Sequence, residues 1–416
     1  MTPDPGHPNS NDRLRKRATA VIFAGAALGT TGLFAAFSLG PIVAVRITGS
    51  DGSAGLPGAA AVSGVAVGAF FLSAIMARRG RGPGLATGYG FGAIGAILVV
   101  LSIERSSFLI VLLGMSLIGV SHASNQLARF AAADIHPPEQ RGVVLSWIVW
   151  AGTIGAILGP GSLEYLKAPT RALGLDPIGG GFVAGGVLFA VALVVCLLGL
   201  RGPAIRALAE EDESDGPIAA KPAILPMMRL PHARLALIVA LASQMSMVAV
   251  MTMTPLHVRH AGVGLGSAGL VMSAHFAGMF GLAPLAGKFN ARFGTIPVML
   301  TGALMLVLAA MGAGTVPADS VVLFMVPLLS LGIGWSLCFV AASALLTKGL
   351  SYRERARLQG SVDGVVWASS ALASVGSGAI VAAFGFSQLC LIAATISLMA
   401  IIFTWSQRAV LAEVIG

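Results

Sequence analysis

Methionine and histidine recur at helical spacing in one stretch of this 416-residue chain. Between Gln244 and Met279 fall six of its 16 methionines, in the patterns Met247-x-x-x-Met251 and His275-x-x-x-Met279. Residues four apart share a helix face, so each pair can point at one spot. Thioether sulfur with imidazole nitrogen suits a soft cation, copper(I) above all. A charged ligand would be costly deep in apolar sequence, whereas Met is uncharged and His ligates as the neutral ring. Met272 extends the second stripe, and Gln244 and Thr254 extend the first. His257 and His260, near the turn between the stripes, could collect a metal or be ordinary loop histidines.

The elements that position these residues are apolar throughout. The chain is 56% hydrophobic and 10% charged, with mean hydropathy +0.88, a composition that excludes a soluble domain of this size. Twelve runs are long enough to span a bilayer, at 20–46, 55–77, 85–103, 108–133, 143–163, 179–200, 234–257, 264–287, 295–314, 320–346, 359–384 and 387–405. With both termini cytoplasmic, 21 of the 26 Lys and Arg residues fall on the inside, the bias of the positive-inside rule. The net charge of +9 is therefore topological and implies no nucleic-acid partner, since no aromatic-basic surface accompanies it. The apolar run after Arg17 is too long for a cleavable signal peptide. Cys196, Cys338 and Cys390 fall inside spans, so no disulfide framework is expected. Cys338 reads as a small packed hydrophobe or as a soft-metal contact.

An internal repeat organises the spans. Ala77-Arg78-Arg79-Gly80 with Pro83 and Gly88 matches Ala291-Arg292-Phe293-Gly294 with Pro297 and Gly302 at an offset of 214. Trp150, Gly159 and Gly161 match Trp367, Gly376 and Gly378 at an offset of 217. The expected organisation is a segment 1–19, a six-helix half 20–200, a linker 201–232, a second half 233–406 and a tail 407–416. The acidic run Glu210 to Asp215 in the linker reads as a solvated loop. Over nearly its whole length the chain resembles the major facilitator superfamily, whose two parallel six-helix repeats hold substrate near the membrane midplane. Arg78, Gly80, Gly287, Arg292 and Gly294 resemble that family's Gly-x-x-x-Asp-Arg-x-Gly gating loops, with the Asp replaced by Ala77 and Ala291. Gly155-x-x-x-Gly159-Pro160 resembles the Gly-Pro motif of its drug–proton antiporters, or simply lets helices pack closely. Arg129, Asp134 and Asp363 lie near span ends and could serve gating or coupling, or form structural salt links. His122, Gln126 and Arg129 share a face of the fourth span.

With the turn between spans seven and eight near residue 261, Met247 is expected at the depth of His275, roughly 20 Å from the turn. Two bland alternatives stand beside a metal site. Methionine fills cores flexibly, and a membrane histidine often bonds a neighbouring helix. The ordered pair of motifs resembles the CcoA-like bacterial copper importers, which carry Met-x-x-x-Met in helix seven and His-x-x-x-Met in helix eight. That resemblance implies copper import across the bacterial cytoplasmic (inner) membrane for respiratory oxidase assembly, with copper as substrate, no catalytic cofactor and a cytoplasmic copper acceptor as partner. Two other readings remain: an exporter of drugs or small molecules by proton antiport, and a metal-binding membrane sensor that transports nothing. No nucleophile–base pair, phosphate loop or catalytic metal set suggests an enzyme.

Overall fold

The computed structural model describes residues 8–201, 230–346 and 352–415. Among them, eleven helices are long and apolar enough to cross a membrane, and one bent pair makes a further crossing. The first helix, Pro8–Thr48, starts well before its apolar run because polar residues continue it; Asp12 and Lys16 pair at 2.7 Å across one turn. Spans two to six run Leu56–Arg79, Arg81–Arg105, Phe108–Ala133, Pro138–Gly161 and Gly180–Gly199. A short surface helix, Leu163–Ala172, follows span five and carries a Lys167–Glu164 pair at 2.5 Å. The seventh span is Pro231–His260; spans nine to twelve are Thr295–Thr315, Val321–Leu346, Tyr352–Phe384 and Phe386–Ile415. The acidic run Glu210 to Asp215 lies outside the described residues.

The chain forms two compact units. One comprises residues up to Gly40 with 60–219; the other comprises 41–59 with 220–416. Inside the first unit, small residues let backbones meet, the packing available where lipid offers no hydrophobic driving force. A Cβ on Gly95 of span three would sit 2.5 Å from the Gly114 carbonyl of span four, and one on Gly114 would sit 2.7 Å from the Gly95 carbonyl. Gly155 and Gly159 do the same for span five against span one, where a Cβ on Gly155 would lie 2.5 Å from Thr31 N. In this chain those two glycines are a helix-crossing surface.

Beyond span four the chain is tied back by polar contacts. Asp134 pairs with Arg81 at the start of span three, Arg15 Nε donates to the Ile135 carbonyl at 2.9 Å, and buried His136 meets Ala132 O and Thr19. In the second unit the segment before span two is held on both sides. Asp51 faces His260 at 3.7 Å, and Ser374 Oγ donates to Gly55 O at 2.8 Å.

Candidate functional site

Spans seven and eight form a hairpin that closes at Ala261–Gly264, with Gly262 at φ +80°. The helices end at His260 and begin at Leu265, which puts the turn one to two residues later than the sequence reading assumed. The register shifts accordingly. His275 lies ten residues in from Leu265 and Met251 nine in from His260, while Met279 and Met247 lie fourteen and thirteen in. At a rise of ~1.5 Å per residue, Met251 shares a depth with His275 and Met247 with Met279. By this count the two motifs fall at two matching depths, two rungs, in place of the Met247–His275 level expected from the sequence.

Span eight is not one straight helix. It runs as an α-helix over Leu265–Phe276, passes through a π-helical turn at Ala277–Gly281 and resumes at Ala283–Phe293 with a bend of 42°. Single π turns are a known cause of kinks and cluster at functional sites. This one holds Met279. The bend lies against span ten at a crossing with no room for a side chain: a Cβ on Gly278 would fall on the Leu329 carbonyl, and one on Gly332 on the His275 carbonyl.

His275 is completely buried. Its Nδ1 lies 3.0 Å from the Leu328 carbonyl; a carbonyl only accepts, so Nδ1 carries the proton. In the neutral ring Nε2 then presents a bare lone pair, and no partner meets it among the described residues. Met247, Met272 and Met279 are buried, whereas Met251 is half-buried. No three His, Cys, Asp or Glu side chains converge among the described residues, so a metal ion here would rest on thioethers and one imidazole.

The remaining sequence candidates fall into other roles. Gln244 accepts from Trp335 Nε1 at 2.7 Å and donates through Nε2 to Ser370 Oγ at 2.8 Å, so both ends of its amide engage protein. Trp335 stacks on Phe339 with centroids 4.9 Å apart and meets Phe280 edge-on at 6.1 Å. This aromatic and amide cluster escaped the sequence reading. The signal was present: an indole N–H and an amide inside apolar spans each need a partner where water is absent. His257 stacks on Phe386 at 4.0 Å, near-parallel at 13°, which makes it part of an aromatic packing layer. Arg292 lies over the Phe293 ring at 5.4 Å, and Arg129 lies over Phe130 at 5.0 Å while its Nε donates to Gln126 O. Arg78 is exposed at the end of span two, and Asp363 is half-buried early in span eleven. Cys338 packs against Gly302, with Sγ 3.6 Å from the Met299 carbonyl.

The apolar spans and the close glycine crossings define a polytopic membrane carrier. The family profile described as Major Facilitator Superfamily matches residues 19–351 and 237–410, and the chain belongs to that superfamily. It is 30% identical to the MFS-type transporter YdeG of Bacillus subtilis (strain 168), over 96% of this chain and 94% of that one. It is 27% identical to the riboflavin transporter RfnT of Brucella anthropi, over 90% and 91%. Among solved structures, a bacterial homologue of the human lysosomal transporter Spinster matches with a TM-score of 0.74 at 16% identity, covering 94% of this chain and 96% of that one. A D-xylose–proton symporter matches with a TM-score of 0.72, also at 16% identity, covering 94% and 97%. These two share the fold.

Proposed function

We propose that this superfamily transporter carries a soft metal ion, copper(I), into the cell, and that Met247, Met251, His275 and Met279 are its ligands. One observation carries the reading: His275 has Nδ1 committed to a backbone carbonyl and Nε2 bare at full burial. Metal-binding imidazoles are commonly held this way, because a hydrogen bond at one nitrogen fixes the tautomer and orients the other. The two-rung register puts a thioether on each helix at matching depth. Thioethers bind without losing a proton, so loading and release can follow the rocking of two six-helix halves with no acid–base step at sulfur. A cytoplasmic acceptor would then draw the ion onward toward oxidase assembly.

A second reading has its own support. The stacked Trp335 and Phe339 beside Gln244 suit a flat organic solute, and RfnT is named for riboflavin. Copper accumulation in cells lacking the protein separates the two when they are complemented with the intact chain or with Met247→Ala plus His275→Ala. Restored uptake with the intact chain alone, at equal membrane abundance, supports copper. Equal behaviour of both chains removes it, and labelled riboflavin uptake in the same cells then tests the organic reading.

A further inference from the structure

The bend in span eight does more than place Met279. The segment beyond it, Ala283–Phe293, borders an apolar crevice of about 450 Å³ together with spans nine and ten. Leu285, Phe289 and Phe293 line one wall, Val298 and Thr301 the second, and Ile333 the third. All belong to the second unit. The first wall is exposed in the protein, with Phe289 at 46% and Phe293 at 55%, and in a membrane such a surface faces acyl chains.

Two cations lie on the segment that forms the first wall. Lys288 and Arg292 are exposed on the same eleven-residue segment. Successive residues turn by about 100° in a helix, which puts Arg292 beside the Leu285–Phe289–Phe293 stripe, and its guanidinium lies over the Phe293 ring at 5.4 Å. Lys288 follows one turn back. No acidic side chain occurs anywhere in the segment from Ala283 to Met305. An apolar slot whose first wall belongs to a segment with two exposed cations is complementary to a lipid with an apolar tail and an anionic head. Juxtamembrane Lys and Arg each add about one kcal/mol of attraction to an anionic leaflet, and long basic side chains reach the headgroup level while their stems stay apolar.

We infer that this crevice is a binding site for one anionic phospholipid, whose acyl chain lies along Phe289 and Ile333 and whose phosphate is held by Lys288 and Arg292. The site is lateral, opens to the bilayer and is separate from the Met–His rungs.

Native mass spectrometry of the purified full chain tests the inference, with phosphatidylglycerol and phosphatidylcholine titrated separately onto delipidated protein. The expected result is one phosphatidylglycerol retained at high affinity, with phosphatidylcholine held at least tenfold more weakly. Lys288→Gln with Arg292→Gln should weaken phosphatidylglycerol roughly 30-fold. Thr301→Trp fills the slot from an exposed position, so the fold tolerates it, and should remove the tight site with both cations intact. Equal retention of the two lipids overturns the inference. So does a Gln variant that binds phosphatidylglycerol as the parent does, or a Trp variant that keeps the tight site while its melting temperature matches the parent's.

Discussion

Trp335 donates its indole N–H to the Gln244 side-chain carbonyl at 2.7 Å, joining spans ten and seven through one buried hydrogen bond. The same amide donates to Ser370 on span eleven, whose hydroxyl passes the chain on to Val366 O at 3.0 Å. Three helices thus share one polar node inside an apolar body. Phe339 and Phe280 close two sides of the indole. The node holds spans seven and ten in place around the bend that carries Met279.

Gln244→Leu is expected to lower stability by roughly 1–2 kcal/mol. It removes two interhelical bonds, each worth on the order of 0.6 kcal/mol in a membrane protein, and strands the Trp335 N–H. Ser370→Ala removes one of those bonds and should cost about half as much. Thermal unfolding in detergent gives the ranking, and tryptophan emission should shift for Gln244→Leu. A Gln244→Leu protein that melts with the parent would show that the node contributes no stability.

Gly80 and Gly294 begin spans three and nine at φ +92° and +84°. A methyl added at either meets no atom within 4 Å, so Ala there isolates the backbone cost, ~1–3 kcal/mol for a side chain at positive φ with ψ of 168° and 164°. Gly364→Ala on span eleven is the control: its added methyl also meets nothing, its backbone is helical, and the change should be neutral or stabilising by up to about 1 kcal/mol. Equal melting temperatures for all three variants would contradict the argument.

Those two glycines were legible before the fold. They stand 214 residues apart in the repeat that also revealed the paired halves, because a positive-φ, extended-ψ junction between consecutive spans needs glycine wherever it recurs. Span number was legible too, since length and apolarity alone decide what crosses a bilayer. The break at Ala277–Gly281 was not: glycine is ordinary in membrane helices, and nothing in Ala-Gly-Met-Phe-Gly marks a π turn. The turn register was misplaced because Ala261, Gly262, Val263 and Gly264 offer several equivalent closures. Asp134 could be flagged from sequence, but Arg78, Arg79 and Arg81 all lie within reach of such a loop, so its pairing with Arg81 could not be read from spacing. The partners of Gln244 lie 91 and 126 residues away, a distance no local pattern spans.

The Arg81–Asp134 pair should contribute little on its own. Both side chains are more than a third exposed or close to it, at 40% and 35%, and such pairs are worth under about 1 kcal/mol. A double-mutant cycle with Arg81→Gln and Asp134→Asn is expected to show a coupling below that value. The coupling should shrink further as salt is raised, because exposed charges are screened. A salt-independent coupling of several kcal/mol would mean that this pair is the latch of the loop and not a surface tie.

Gly332→Ala is expected to disturb the crossing of spans eight and ten directly. The added carbon would fall on the His275 carbonyl and within 2.7 Å of the Met279 amide nitrogen, so span eight must move away from span ten. Overpacking of this kind costs typically 1–3 kcal/mol, and the strain lands on the π turn that positions Met279. Transport should therefore fall further than folded abundance does, since His275 Nδ1 would also lose its 3.0 Å contact with Leu328 O. Gly312→Ala provides the comparison: its added methyl would meet only the Pro327 ring at 3.1 Å, where span nine meets span ten and away from the bend. Measuring uptake per folded molecule for both variants decides the point. If Gly332→Ala loses uptake only in proportion to its abundance, the crossing is scaffolding, and the spacing of spans eight and ten does not govern the solute site.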